Sequence, residues 1–353
     1  MTNRLLDELD AALGGGDAPD PVRPSAAATG RNAVFLEGVD AALLADAAAG
    51  LGRLDATVDL LPEHRRRGWL ARRHLREAMA SARLDGDMVD VDDLVLAELD
   101  TLPRPGDVDL GAGRWILGML RAAARRTPRQ LFTPRRLGAF ARLRLKGAPP
   151  DDERVRWLTG RLATPDAVRA ALERALAPPG LRALAERAPP VGAAGLLALW
   201  HGAGAADAVA GAPGRILAEV WLRRGGWLRR PVAAVATGFL GHRDRYTPDA
   251  GAAWTRNLLE ALVRSADEGL QLQRRLDAAE AAILLACPPR RASSLPALAA
   301  LLAERPALTA EDAAAALSLT DRAARGLLGR LADRGVVREL TGRKSFRAFA
   351  IAL

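Results

Sequence analysis

Apolar residues recur at helical spacing along most of the 353-residue chain. In VDAALLADAAAGLGRLDATVDLL, residues Leu43, Leu44, Ala47, Leu51 and Leu54 fall on one helical face. In RRRGWLARRHLREAMASARLDG the same spacing links Leu70, Leu75, Met79 and Leu84. Further helices are expected near 111–126, 134–145, 151–163, 165–177 and 180–187, cut from one another by Pro and Gly. GAAGLLALWHGAGAADAVAGAPGRILAEVWLRRGGWL reads as two helical pieces around a loop of small residues at 202–214. Two more helices are expected over 231–241 and 247–286. Residues 1–32 contain GGGDAPDPVRPSAAATG, rich in Gly, Pro and Ala without period, which predicts a flexible N-terminal arm. CPPRRASSLP breaks the pattern at 287–296 and reads as a linker. The expected organisation is an arm 1–32, a helical domain 33–286, the linker 287–296 and a C-terminal module 297–353.

The C-terminal module has a different rhythm: helix, helix, tight turn, helix, then a β-hairpin. Thr309 is placed to cap a helix whose first turn carries Glu311 and Asp312, where carboxylates suit the helix dipole. Thr320, followed by Asp321, plays the same part for the next helix. There Ala324, Leu327, Leu328 and Leu331 make the apolar stripe, and Arg322, Arg325 and Arg330 fall wholly or partly off it. VVREL and SFRAFAI are the only convincing strands, joined by TGRK at 341–344.

Composition supports the pattern. Hydrophobic residues make up 49% and aromatics 4%, so the core must be built from Ala, Leu and Val, and Ala and Leu lead the helix-propensity scale. The fold class is mainly α. The net charge is +9, and among 51 basic residues only Lys146 and Lys344 are lysine. Arginine-rich codon usage or a polyanionic partner would each give this balance, so location decides. From Ser318 to Leu353 there are eight basic residues against three acidic, a concentration that points to a phosphate backbone. Cys287 is the only cysteine, which excludes a disulfide within the chain and a zinc cluster of cysteines. There is no apolar signal core and no run of membrane-spanning length, so a cytoplasmic protein is expected. His74 and His242 lie among arginines with no second His or Cys at a metal-ligand spacing. They read as solvated positions, and neither a metal nor a cofactor is expected. The runs at 65–67, 223–224 and 229–230 read as solvated helix surface.

SARLDGD, at 81–87, sets Gly86 among three aspartates in a stretch that otherwise reads as helix. The segment from Gly50 to Asp100 resembles the N-terminal region of Fic-family proteins. In that family a helix carries Ser/Thr, three residues, Glu, then Gly/Asn, and the matching positions here are Ser81, Asp85 and Gly86. The resemblance implies an α-helical fold in which this acid pairs with the last arginine of an active-site motif. In some members a C-terminal winged helix follows, and HRDRYTPDAGAAWTRNLLEALVRSADEGLQ is similar to the helix after the family's core. Family enzymes transfer AMP from ATP to a protein hydroxyl. Their motif runs His-x-Phe-x-Asp/Glu-Gly-Asn-Gly-Arg-x-x-Arg. It supplies a base, a carboxylate for Mg²⁺ and a helix N-terminus for phosphates. Aligned on GAPGRIL, Gly214 and Arg215 match its last Gly-Arg pair. The first arginine becomes Ala212, the asparagine Ala210, the carboxylate Ala208 and the histidine Gly204. His201 and Asp207 lie nearby at the wrong spacing, and His201 reads as a helix-end residue bonding a carbonyl. The resemblance therefore implies no catalytic residue, a nucleotide-site remnant at Gly214 and Arg215, and an ion pair between Asp85 and Arg215.

The C-terminal order of cap, turn, helix and hairpin resembles the winged helix-turn-helix domains of bacterial regulators. That resemblance implies double-stranded DNA as partner, contacted by Arg322, Arg325, Arg330, Arg343, Lys344 and Arg347, and a homodimer to match two-fold sites. The expected function is a DNA-binding transcriptional regulator with a catalytically degenerate Fic-like domain. An AMP-transferase with an atypical motif, or an adaptor holding a protein or ligand in the Fic-like groove, are the rival readings.

Overall fold

The computed structural model describes residues 39–99, 108–132, 165–249, 251–286, 294–342 and 347–353. The expected arm, the helices near 134–145 and 151–163, Cys287, Lys146, Arg343 and Lys344 lie outside the described residues. The fold is mainly α with one small sheet at the C-terminal end. The first helices are α1 (Ala41–Asp59), α2 (Glu63–Asp85), α3 (Val91–Glu98), α4 (Val108–Ala124) and the single turn α5 (Pro128–Leu131). Then come α6 (Pro165–Ala175), α7 (Pro178–Ala185), α8 (Pro189–Gly202), α9 (Ala205–Val209) and α10 (Ala212–Leu222). A long α11 (Ala252–Ala286) precedes α12 (Leu295–Glu304), β1 (Leu308–Thr309), α13 (Ala310–Leu317), α14 (Asp321–Asp333), β2 (Val337–Glu339) and β3 (Ala348–Ile351).

The 35-residue α11 is the spine of the molecule. It packs along α1 and presents Leu258, Leu262, Ala266 and Leu276 to the core. Trp69 of α2 donates its indole N–H to the Gly269 carbonyl at 3.1 Å, and Trp254 of α11 donates to Ala194 of α8 at 3.0 Å. These tryptophans fill volume that an Ala-rich core lacks while keeping their one donor bonded. α2 is buried almost all round, against α4 on one side and α12 on the other. At the second contact Gly68 lets the helices meet: a Cβ there would lie 1.8 Å from the Ala303 carbonyl oxygen. Arg72, one turn on, donates to the carbonyls of Leu302 (2.7 Å), Ala303 (2.8 Å) and Arg305 (2.7 Å), satisfying the open C-terminal end of α12.

The helix expected over 231–241 is absent. Residues 232–236 are irregular and lead into a single 3₁₀ turn, Thr237–Phe239. Side chains from neighbouring helices take the backbone groups that a helix would have paired. Asp55 accepts from the amides of Arg229 (3.0 Å) and Arg230 (2.8 Å), and Glu77 accepts from Ala236 and Thr237, each at 2.8 Å. Arg73 donates to the Val232 carbonyl, to Ser265 O and to Ser265 Oγ. α11 starts at Ala252 rather than 247, and the small-residue loop at 202–214 contains the short helix α9.

In the C-terminal module β1 and β2 both pair antiparallel with β3, giving the order β1-β3-β2. The two-residue β1 breaks the expectation that VVREL and SFRAFAI are the only strands; Leu308 pairs with Phe349 and Thr309 with Ala348. The hairpin register sets Val337 against Ile351 and Glu339 against Phe349. No described helix is long and apolar enough to cross a membrane.

Candidate functional site

α2 ends because Gly86 adopts φ 103°. The Asp87 amide donates to the Ala82 carbonyl (3.0 Å) and the Gly86 amide to that of Arg83 (3.2 Å), which closes the helix in a Schellman motif. SARLDGD is therefore a helix terminus. It also places Ser81 and Asp85 one turn apart on the face that meets α10. Arg215 reaches across from α10: Nε donates to Ser81 Oγ at 2.7 Å, and Nη2 donates to Ser81 O at 2.8 Å and lies 2.8 Å from Asp85 Oδ2. The Arg215 side chain is 1% exposed and that of Asp85 14%. Asp85 also accepts from the Ala212 amide at 3.2 Å. A carboxylate of the chain itself thus sits at the first turn of α10, where free N–H groups and the helix dipole favour an anion.

Tyr246 completes the cluster. Its ring lies under the Arg215 guanidinium, 5.3 Å away, and its hydroxyl accepts from Arg215 Nη1 at 3.3 Å. The same hydroxyl is 3.4 Å from His201 Nε2. His201 stands in the last turn of α8, as expected of a helix-end residue, but its ring meets Tyr246 rather than the expected carbonyl. Burial and then the Arg215 charge hold the imidazole below its usual range, and burial raises the Tyr246 phenol. Burial pulls the Arg215 guanidinium down, while Asp85 and Tyr246 together carry it above its ordinary value. Asp207 is exposed on α9, Gly204 and Ala210 both have positive φ on either side of that helix, and Gly214 packs against the Trp200 ring.

The C-terminal face is built differently. Thr309 and Asp312 form a reciprocal capping box at the start of α13, with the Asp312 amide donating to Thr309 Oγ1 at 3.1 Å and the Thr309 amide to Asp312 Oδ2 at 3.0 Å. Ser318, at φ 53°, turns the chain, and Thr320 Oγ1 accepts from the Ala323 amide at 3.2 Å to open α14. α14 buries Ala324, Leu328 and Leu331 and leaves Arg322, Ala323, Arg325, Gly326 and Arg330 exposed. Arg325 pairs with Asp321 one turn back; Arg322 and Arg330 have no partner among the described residues. A Cβ at Gly329 would meet nothing within 4 Å. Arg347 is tied to Glu339 across the hairpin and lies 5.7 Å from the Phe349 ring centroid. Arg343 and Lys344 fall outside the described residues.

His74 and several arginines expected at the surface are part of the frame, whereas Arg67 and Arg229 are exposed as expected, each beside a carboxylate. His74 is buried, and its Nε2 has no partner among the described residues. Burial, then the charges of Arg121, Arg223 and Arg73, push it down to about 3. Of the run 65–67, Arg65 pairs with Asp277 and Glu280, Arg66 with Glu63, and Arg67 with Glu304. Arg223 donates to Ala123 O, Arg224 lies over Trp221, and Arg229 and Arg230 both face Asp59. His242 is half-buried. Sequence reasoning missed three buried acids, Asp55, Glu77 and Glu219. Glu77 accepts two amides and the Thr237 hydroxyl, and burial still raises it. Glu219, one turn beyond Arg215 on α10, is pushed up to about 8 by burial. Its signal was a lone acid inside the apolar run RILAEVWL.

Residues 228–351 match a family model described as a protein of unknown function, DUF1403. No curated protein matches the chain. Among solved structures, the chain is similar to a Fic family protein from Desulfovibrio desulfuricans G20, with 15% identity, a TM-score of 0.46, and coverage of 95% of this chain and 98% of that one.

Proposed function

We propose that the protein is a DNA-binding regulator whose C-terminal module is a winged helix-turn-helix, and that α14 enters the major groove. The observation that carries this reading is the outer face of α14. Arg322 and Arg330 are exposed there without partners among the described residues, and Ala323, Gly326 and Gly329 stand between them. Two glycines in a helix interior each cost roughly 1 kcal/mol against alanine; a Cβ at Gly329 would meet nothing within 4 Å, and one at Gly326 would meet the Arg330 guanidinium at 3.6 Å. A low, cationic helical face, its backbone covered at Gly326 only by the end of the long Arg330 side chain, suits close approach to phosphates and base edges. The element order supports it: a helix, a short strand, two helices joined by a tight turn, then a hairpin whose second strand lies centrally in the sheet.

The helical body acts as scaffold and, as a homodimer, sets the distance between two α14 helices. Half-sites would then lie about 34 Å apart or a multiple of it. The body carries out no AMP transfer in this reading, because Gly204, Ala208 and Ala210 offer no base, metal ligand or amide at the aligned positions. The Asp85 carboxylate also holds the end of α10 that a phosphate would need.

The test is selection of bound duplexes from a randomised double-stranded DNA library. The parent protein should enrich a two-fold sequence, with affinity falling steeply as salt rises. The Arg322→Ala/Arg330→Ala variant should enrich nothing. Equal enrichment by the variant overturns the reading. AMP labelling of the chain or of another protein that is lost in His201→Ala would favour the transferase instead.

A further inference from the structure

A cavity of about 270 Å³ lies between the helical body and the C-terminal sheet, outside both clusters described above. The body contributes Arg76 from α2, Val91 and Val95 from α3, and Leu272 and Arg275 from α11. The sheet contributes Arg338, Ala350 and Ile351, with Leu340 just beyond β2. The volume of about 270 Å³ falls just below the roughly 300–1,000 Å³ of drug-sized sites, which suits a smaller ligand, and both modules are needed to form it.

Its lining has two chemistries. The walls are apolar: Leu75, Val91, Val95, Leu272, Leu340 and Ile351. The charged groups are mostly cationic, five arginines against Asp92 and Glu268. Arg72 and Arg73 are spent on backbone carbonyls and Ser265. Arg76 pairs with Glu268, and Arg338 forms a two-pronged pair with Asp92 at 2.5 and 2.6 Å. Arg275 is exposed at the cavity and has no partner among the described residues. The two carboxylates are thus already neutralised, and one guanidinium fork is left over beside an apolar recess. Guanidinium groups suit carboxylate and phosphate, and the recess suits the carbon body that such a group would carry.

We propose that this cavity binds a small amphipathic organic anion, its acidic group on Arg275 and its apolar part against Val91, Val95 and Leu272. Bound there, the anion bridges α11 and α3 to the sheet and so stiffens the seat of the C-terminal module. The proposal does not depend on what α14 binds.

The test titrates the intact protein with octanoate, benzoate and inorganic phosphate, followed by calorimetry and by the unfolding midpoint. Octanoate or benzoate should saturate at one per chain and raise the midpoint, while phosphate should bind far more weakly. Arg275→Gln, at a residue with no partner among the described residues, should weaken octanoate binding by roughly tenfold or more and leave the ligand-free midpoint unchanged. Val91→Phe should fill the recess and block octanoate. Absence of saturable binding by either organic anion overturns the proposal. So does unchanged octanoate binding in both variants. Phosphate binding as tightly as octanoate overturns the amphipathic class.

Discussion

Arg215 in the body and Arg322 on α14 are the same side chain put to opposite uses. Every donor-bearing edge of Arg215 meets Ser81, Asp85 or Tyr246, and the group is 1% exposed. Arg322 is exposed, with no partner among the described residues. Arg215, Arg72 and Arg73 act as mortar between helices of the body, where Arg275 is left out, whereas α14 displays Arg322 and Arg330 and ties only Arg325 to Asp321. Overall basicity therefore says little here about a polyanionic partner; satisfaction of the donors says more. A buried guanidinium must be fully bonded because stranding it costs free energy, and an exposed one is left for water or a ligand.

The largest effect should come from breaking the mortar. Asp85→Ala strands Arg215 in the interior and should cost about 3–5 kcal/mol of stability. The check is a double-mutant cycle on denaturant unfolding with Arg215→Ala, and the double variant should be much less destabilised than the sum of the singles. Additive effects would mean that the pair stabilises nothing and would erase the contrast.

A smaller effect concerns the buried titrating groups beside the mortar. Glu219 is raised from 4.5 to about 8, so the folded state holds its proton longer than the unfolded state. Stability from this group is full below 4.5 and is lost as pH rises toward 8. His74 is lowered from 6.5 to about 3, so its contribution is full above 6.5 and is lost as pH falls toward 3. Between pH 6.5 and 8 the Glu219 slope acts without the His74 slope, at up to about 1.4 kcal/mol per pH unit. Glu219→Gln should remove that slope, measured by urea unfolding at several pH values. A slope unchanged in the variant would show that Glu219 is ionised in the folded protein.

The smallest effect on stability should come from the displayed arginines. Arg322→Ala/Arg330→Ala should unfold within about 0.5 kcal/mol of the parent, because no described protein group depends on either. Destabilisation well beyond that would make α14 a structural face and sharpen the case against display.

The regular parts of this architecture were legible because their causes are local. Leucine and alanine at helical spacing marked α1 and α2, and Thr309 and Thr320 marked the starts of α13 and α14. Gly86, read inside a helical stretch, is a terminus because its φ is positive, and nothing in a 3.6-residue period reports that. The misreadings share a cause. Residues 231–241 look helical by composition, but Glu77 and Arg73, more than 150 positions away in sequence, take backbone groups of Val232, Ala236 and Thr237, and Asp55 holds the amides of Arg229 and Arg230 just before them. Arg65, Arg223 and Arg230 look solvated because their carboxylate and carbonyl partners, Asp277, Ala123 and Asp59, are remote in sequence. The contact between Asp85 and Arg215 was reached through resemblance to a family motif, since neither residue's neighbours announce it.

By order in the chain, α12 is the first element of the C-terminal module, yet its far end is notched into α2 at Gly68 and tied off by Arg72. The module is thus keyed into the body rather than tethered to it, and Arg338 on β2 adds a second fastening to Asp92 of α3. A chain cut between Ala286 and Ser294 would yield two fragments that remain one particle. Deleting the module would bare the flank of α2, so amputation would injure the remainder, whereas severing the peptide alone would not.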